Sequence, residues 1–350
     1  MESNSMFKTF LLTLAIAVAF MAAWELYIRS RGFLPTYNDD KILWATKRGQ
    51  VYQSPDECTV FIGPSRIKFD LDIPLWKRLT GENAIQLAMV GTSPRPLLRD
   101  LANDENFKGK LIVDAMETAV FSPATFITEK SAVDGLAYYQ GETPAQRGSA
   151  MIGHKLESHV TFLEEGKFGI ANLLNDLQLP SRPGIFIFPS MPHEFAISSY
   201  ERQTSMTPMF LTNPALIKRQ TDCWIRLGAL NKAPGIKGDT LERVFKEMKD
   251  AVDKIRARGG KVVFVRMPSS GTYLESETAA YPRAQYWDAL LKYTNTPGIH
   301  YTDYPAIANF VCPEWSHLHP KDVITFTREL VRILRDEHGW EFAEKATAYK

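Results

Sequence analysis

The sequence predicts an α/β domain built on a parallel sheet and carried behind one N-terminal transmembrane helix. Three observations lead there. Short apolar runs ending at glycine or turn residues recur about 25 residues apart, with helical patterns between them, the signature of βαβ units. An uncharged apolar stretch at residues 9–24 precedes them all. The 350-residue chain otherwise has average globular usage, 45% hydrophobic and 23% charged, which excludes a disordered or low-complexity protein. A mean hydropathy of −0.21 is too polar for a protein with many membrane spans.

A short tail, 1–8, opens the chain. Residues 9–28 follow as an apolar stretch interrupted only by Glu25. At about 1.5 Å per residue it spans about 30 Å, one bilayer core. Trp24 and Tyr27 stand at one end, where amphipathic rings favour the interface, and Glu25 is near enough to reach the headgroups. A cleaved signal peptide is the alternative, because Ala17-Val18-Ala19 has the small-x-small form of a cleavage site. The apolar run continues past that point, which favours a retained anchor. Lys8 precedes the stretch, and Arg29 and Arg31 follow it. This Lys/Arg bias toward a cytoplasmic C-terminal side is too small to set the orientation.

Residues 29–55 are polar and read as a tether with a short helix; the domain itself occupies 56–337. Residues 58–62 form a buried strand ending at Gly63. A helix at 72–79 has Pro74 in its first turn and Gly81 past its end. A second strand, 84–90, ends at Gly91; a helix at 94–102 leads to a third strand at 110–116. Residues 122–238 read as a helical and loop insertion capping the sheet, with one strand at 184–188. The helix at 240–258 places Leu241, Val244, Phe245, Met248, Val252 and Ile255 on one face. Gly259-Gly260 ends it, and 261–267 is a strand. A short strand at 299–302 precedes a last helix beginning near Pro320, which presents Val323, Phe326, Leu330, Val331 and Leu334. Residues 338–350 are a tail.

Composition narrows the function classes. Lys+Arg 41 against Asp+Glu 40 gives a net charge of +1, so no basic field invites nucleic acid. Cys58, Cys223 and Cys312 offer neither a disulfide framework nor a zinc cluster. His154 and His159 are five apart, off the spacing of one helix face, and His193-Glu194 lacks a third ligand, so no metal is expected. No G-x-G-x-x-G or Walker pattern occurs, and no cofactor is expected. Tyr281, Tyr286 and Trp287 suit core packing better than stacking on sugar rings.

Chemistry concentrates at three places. Gly63-Pro64-Ser65-Arg66 falls where a buried strand ends, the edge at which parallel sheets bind ligands. A serine there either exposes its hydroxyl beside turn amides able to hold an oxyanion or caps the next helical turn. Glu314-Trp315-Ser316-His317 lies just before the last helix. A carboxylate three residues from an imidazole can hold Nδ1, fix the tautomer and make Nε2 a base for a serine hydroxyl. His319 is a neighbouring competitor for that role. Gly91, closing the second strand, either serves the turn or offers its amide as a second oxyanion donor. Arg66 and Arg266, the latter in Arg266-Met-Pro-Ser269-Ser270-Gly271 after another strand, are candidate substrate contacts.

Together these features resemble the SGNH/GDSL hydrolase superfamily over roughly residues 56–336. That family has a nucleophilic Ser after the first strand, an oxyanion Gly after the second, an Asn after the third, and D-x-x-H near the C-terminus. The likeness is greatest to its membrane-anchored, exported branch. There a G-S-S-R or G-P-S-R block opens the domain, here Gly63-Pro64-Ser65-Arg66, and an S-H-L block precedes the last helix, here Ser316-His317-Leu318. The resemblance implies a flavodoxin-like three-layer α/β/α sandwich on the extracytoplasmic side. Ser65 would be the nucleophile, His317 the base, Glu314 the acid, and the Ser65 and Gly91 amides the oxyanion hole. Glu314 replaces the usual Asp, and no G-x-N-D follows the strand ending near Asp114. One missing oxyanion donor lowers rates by about 10²–10³, or about 3–4 kcal/mol, unless Thr118, Arg66 or Arg266 substitutes. The expected activity is that of a serine esterase or O-acyltransferase acting on an acylated envelope glycan or lipid. The alternative is a non-catalytic protein of the same fold that binds or organises envelope polysaccharide.

Overall fold

The computed structural model describes residues 2–52, 58–176, 191–230 and 234–343; the strand expected at 184–188 lies outside them. The chain divides into two compact units, Met1–Asn38 with Gly148–Phe188, and Asp39–Arg147 with Pro189–Lys350.

The larger unit is a mixed α/β structure. Its strands, in chain order, are β1 (Cys58–Ile62), β2 (Asn83–Gln86), β3 (Lys110–Asp114), β4 (Ala196–Ser198), β5 (Thr204–Met206), β6 (Lys261–Arg266) and β7 (Gly298–His300). Five form a parallel sheet in the order β2-β1-β3-β6-β7. Strands β4 and β5 form a separate antiparallel pair. β1 and β3 are buried along their whole length, and successive residues point to opposite faces. Val60, Ile62, Leu111, Val113, Val262 and Phe264 join one core, whereas Phe61, Ile112, Val263 and Val265 join another. The first core is completed by Trp44, Leu98, Ala132, Val244 and Trp287, and the second by Trp76, Phe326 and Leu330. Helices therefore cover both faces of the sheet. All six apolar residues expected on one face of the Asp239–Ala257 helix are buried, as are all five of the Pro320–Asp336 helix.

Two boundaries differ from expectation. The helix Lys41–Gly49 belongs to the core rather than to a tether. Asp40 caps it by accepting the Ile42 and Leu43 amides, and Trp44 is fully buried with its indole N–H on Leu87 O at 2.9 Å. The 122–238 segment is not one cap. Its Lys130–Gly141 helix contributes Ala132 to the first core, while Gly148–Phe188 belongs to the unit that holds the N-terminal helix and Pro189 onward returns to the larger unit. Tyr281, Tyr286 and Trp287 are core residues.

The smaller unit is built around the helix Glu2–Ser30, whose Ser5–Ser30 part is long and apolar enough to cross a membrane. Glu25 does not simply reach outward from this helix. Its carboxylate accepts the Thr161 amide at 2.9 and 3.0 Å and the Phe162 amide at 3.1 Å. Arg29 pairs with Glu25 at 2.6 Å and donates to His159 O at 2.5 Å. Phe33 meets Phe168 edge-on at 5.2 Å, and the Asn38 amide donates to Glu157 and Leu163 O. A segment 130 to 137 residues downstream is thus hydrogen-bonded to the end of the apolar helix.

Candidate active site

The sheet order reverses between β1 and β3, and ligands of open α/β sheets bind in the crevice beyond the strand ends at such a point. β1 delivers Gly63 there at φ +152°, where a Cβ would lie 2.6 Å from the Cβ of Asp114. Only glycine allows the two strand ends to come this close. Pro64 occupies the cap position of the one-turn helix Ser65–Phe69, and Ser65 is its first residue. Ser65 therefore does not act as the cap. It is partly exposed, and its amide belongs to a helical first turn, which lacks intrahelical acceptors.

The loop before the last helix brings the imidazole. Ser270 Oγ accepts the Cys312 amide at 2.8 Å, Ser270 N–H donates to Trp315 O at 2.8 Å, and Asp70 accepts the Leu318 amide at 2.8 Å. Trp315 takes φ +77°, an outlier for a bulky residue. Its ring lies where a side chain on Gly271 would collide.

These constraints place His317 Nε2 2.9 Å from Ser65 Oγ, across 252 positions of sequence. His317 Nδ1 lies 2.8 Å from Glu314 Oε1, which also accepts the His317 amide at 2.7 Å. An ionised carboxylate only accepts, so Nδ1 carries the proton and Nε2 faces the serine hydroxyl as acceptor. The second oxygen of Glu314 accepts the indole N–H of Trp224, from the helix Pro214–Leu230. Glu314 and His317 are 0% and 1% exposed. The imidazole stacks on Phe69 at 4.0 Å and is flanked by Phe195 and Trp224 at 6.0 and 6.2 Å. His319 is elsewhere engaged. It caps the last helix, with Nδ1 accepting the Lys321 amide at 3.1 Å.

Gly91 is exposed in the turn after β2. The Met89 amide bonds to Gly63 O at 3.0 Å, so this turn runs beside the Ser65 segment. Arg66 and Arg266 are not surface groups. Arg66 grips Glu277 with two nitrogens at 2.7 and 3.1 Å, and Arg266 reaches Glu277 and Glu117 at 2.7 Å each. Ser269 also donates to Glu277. Both arginines are buried, because a guanidinium leaves water only when its charge is matched. They anchor the Ser65 turn and the β6 end, so the two arginines expected as substrate contacts are paired internally with Glu277 and Glu117. Burial pushes Glu277 up, but Arg66 and Arg266 outweigh it and hold the carboxyl below its usual range. Asp114 has no such acid–base match. Burial pushes it up to about 7 against the pull of Arg66 and Arg266, and among the described residues neither of its oxygens has a hydrogen-bond partner. The Thr118 hydroxyl is likewise buried without a partner among them.

Ser65, Glu314 and His317, singled out in the sequence, are brought together, whereas Trp224, Phe69, Phe195, Glu277 and Asp70 were not singled out there. The only signal was indirect: an arginine beside a buried strand end needs an acidic partner, without indicating which one. No protein-family model matches the chain, and no curated protein matches it.

Proposed function

We propose that this chain is a membrane-anchored serine esterase or O-acyltransferase of the SGNH/GDSL type, acting on an acylated envelope glycan or lipid. The observation that carries the reading is the continuous Ser65–His317–Glu314 relay. In the proposed reaction Ser65 Oγ attacks the acyl carbonyl while His317 Nε2 takes its proton. Glu314 steadies the imidazolium through Nδ1–H, and Trp224 steadies Glu314. The Ser65 and Gly91 amides receive the oxyanion. Collapse expels the alcohol, which takes the proton from His317 and leaves an acyl-serine. Water or a sugar hydroxyl then gives its proton to His317 and attacks the acyl-serine; collapse releases the acid or the new ester, and the departing Ser65 oxygen takes the proton back from His317. The parallel sheet order, 2-1-3-4-5 counted within the sheet, is one of the common doubly wound orders and suits a flavodoxin-like sandwich. Anchoring by the N-terminal helix, with the domain on the extracytoplasmic side, suits a substrate held at the membrane or wall.

A polysaccharide binder without catalysis is the second reading. It is favoured by the third strand, which runs into Asp114-Ala-Met-Glu117 with no Asn to complete the oxyanion hole. A fluorophosphonate probe separates the two. The esterase reading expects labelling of the parent chain and none of Ser65→Ala. An unlabelled parent, alongside a reactive control esterase, would overturn the esterase reading and support the binder.

A further inference from the structure

The smaller unit leaves an apolar surface uncovered. In the helix Pro144–Glu157, Met151, Ile152 and Leu156 are 75%, 66% and 51% exposed. At about 100° per residue they share one face, with Lys155 among them. In the helix Ile170–Asp176, Ile170 and Leu174 lie one turn apart and are 78% and 55% exposed. Single exposed apolar residues need no explanation, but five on two short helices of one small unit do.

The neighbourhood identifies the occupant. Between the two helices in sequence lie His159, Thr161 and Phe162, the groups that Arg29 and Glu25 hold. Those two side chains belong to the last turns of the apolar helix, where the Trp24 and Tyr27 rings stack at 5.7 Å. Aromatic rings of this kind mark the level of the lipid headgroups. The hydrogen bonds therefore fix residues 159–162 at the depth where the helix leaves the bilayer, and the flanking helices share that depth.

We propose that the exposed faces around Met151, Ile152 and Leu156 and around Ile170 and Leu174 lie in the interfacial layer of the bilayer, as a lipid-facing collar about the exit of the N-terminal helix. This rests on reading that helix as a membrane anchor. Side chains of this type sink to the boundary between headgroups and acyl chains, and Lys155 extends its ammonium toward anionic headgroups. The collar would orient the unit on the membrane beyond what one helix can do.

The test uses the full chain in vesicles of phosphatidylcholine and phosphatidylglycerol. The three native cysteines are buried, so an introduced surface cysteine takes a fluorophore selectively. Ile152→Cys and Leu174→Cys report on the collar and Leu14→Cys on the span. Nitroxide is placed on the lipid either near the headgroup or deep in the acyl chain. The collar positions are expected to lose fluorescence to the shallow nitroxide and Leu14→Cys to the deep one. Quenching at Leu14 with none at 152 and 174 overturns the collar and leaves the anchor standing. A blue shift at 152 or 174 without quenching also overturns it, since a protein then covers the face. No quenching at Leu14 removes the anchor and the collar together.

Discussion

At the scale of residues, the site distinguishes two histidines that the sequence leaves in competition. His317 meets Ser65, whereas His319 accepts a backbone amide at the start of the last helix. His317→Ala is expected to abolish turnover of a chromogenic ester. His319→Ala should keep it and lower stability by about 1 kcal/mol, the usual effect of a lost cap; the reverse pattern in the same assay would assign the base to His319. Asp114 makes a prediction about pH. A carboxyl whose folded value is raised to about 7 keeps its proton where the unfolded chain has released it. Stability then falls as pH climbs from about 4 to about 7 and levels off above. Asp114→Asn has the same shape and no charge. It should be more stable than the parent above about pH 7, by on the order of 1–4 kcal/mol, the advantage vanishing toward about pH 4. Thermal unfolding across that range checks it, and an advantage independent of pH would refute the cause. The serine and histidine were legible in sequence because each flanks a strongly patterned element. The fate of Arg66 was not, because its partner Glu277 is 211 positions away.

At the scale of elements, legibility followed burial and punctuation. β1, β3 and β6 are short apolar runs with abrupt ends, and each lies within about two residues of its expected bounds. β2 stops at Gln86 although the apolar pattern runs to Val90. Beyond it the Leu87 and Met89 amides still bond to Phe61 O and Gly63 O, so the chain goes on beside β1, while the Gln86 side chain takes the Ala88 amide and donates to Ile67 O. The helix Pro214–Leu230 was hidden in a segment of weak pattern, yet it sends Trp224 to the triad carboxylate. Trp224→Phe keeps a ring against His317 and removes the N–H. One charge-assisted hydrogen bond fewer should lower kcat about tenfold with KM nearly unchanged. Steady-state kinetics decide, and unaltered kcat would make the indole contact merely structural.

At the scale of the whole molecule, every member of the Ser65 relay and of both sheet cores comes from the larger unit. Removing residues 2–30 should therefore release the chain from membranes while the fluorophosphonate reaction at Ser65 persists; loss of that reaction in a folded truncate would tie the site to the anchor. The sequence showed the apolar helix and the sheet but not the division into two units, because Glu25 accepts from amides 136 and 137 positions away, and backbone amides leave no trace in a residue pattern. The long separation of hydroxyl and imidazole also has a temporal meaning. The serine leaves the ribosome 252 residues ahead of the ring that meets it, so a chain still in synthesis holds the hydroxyl without that imidazole.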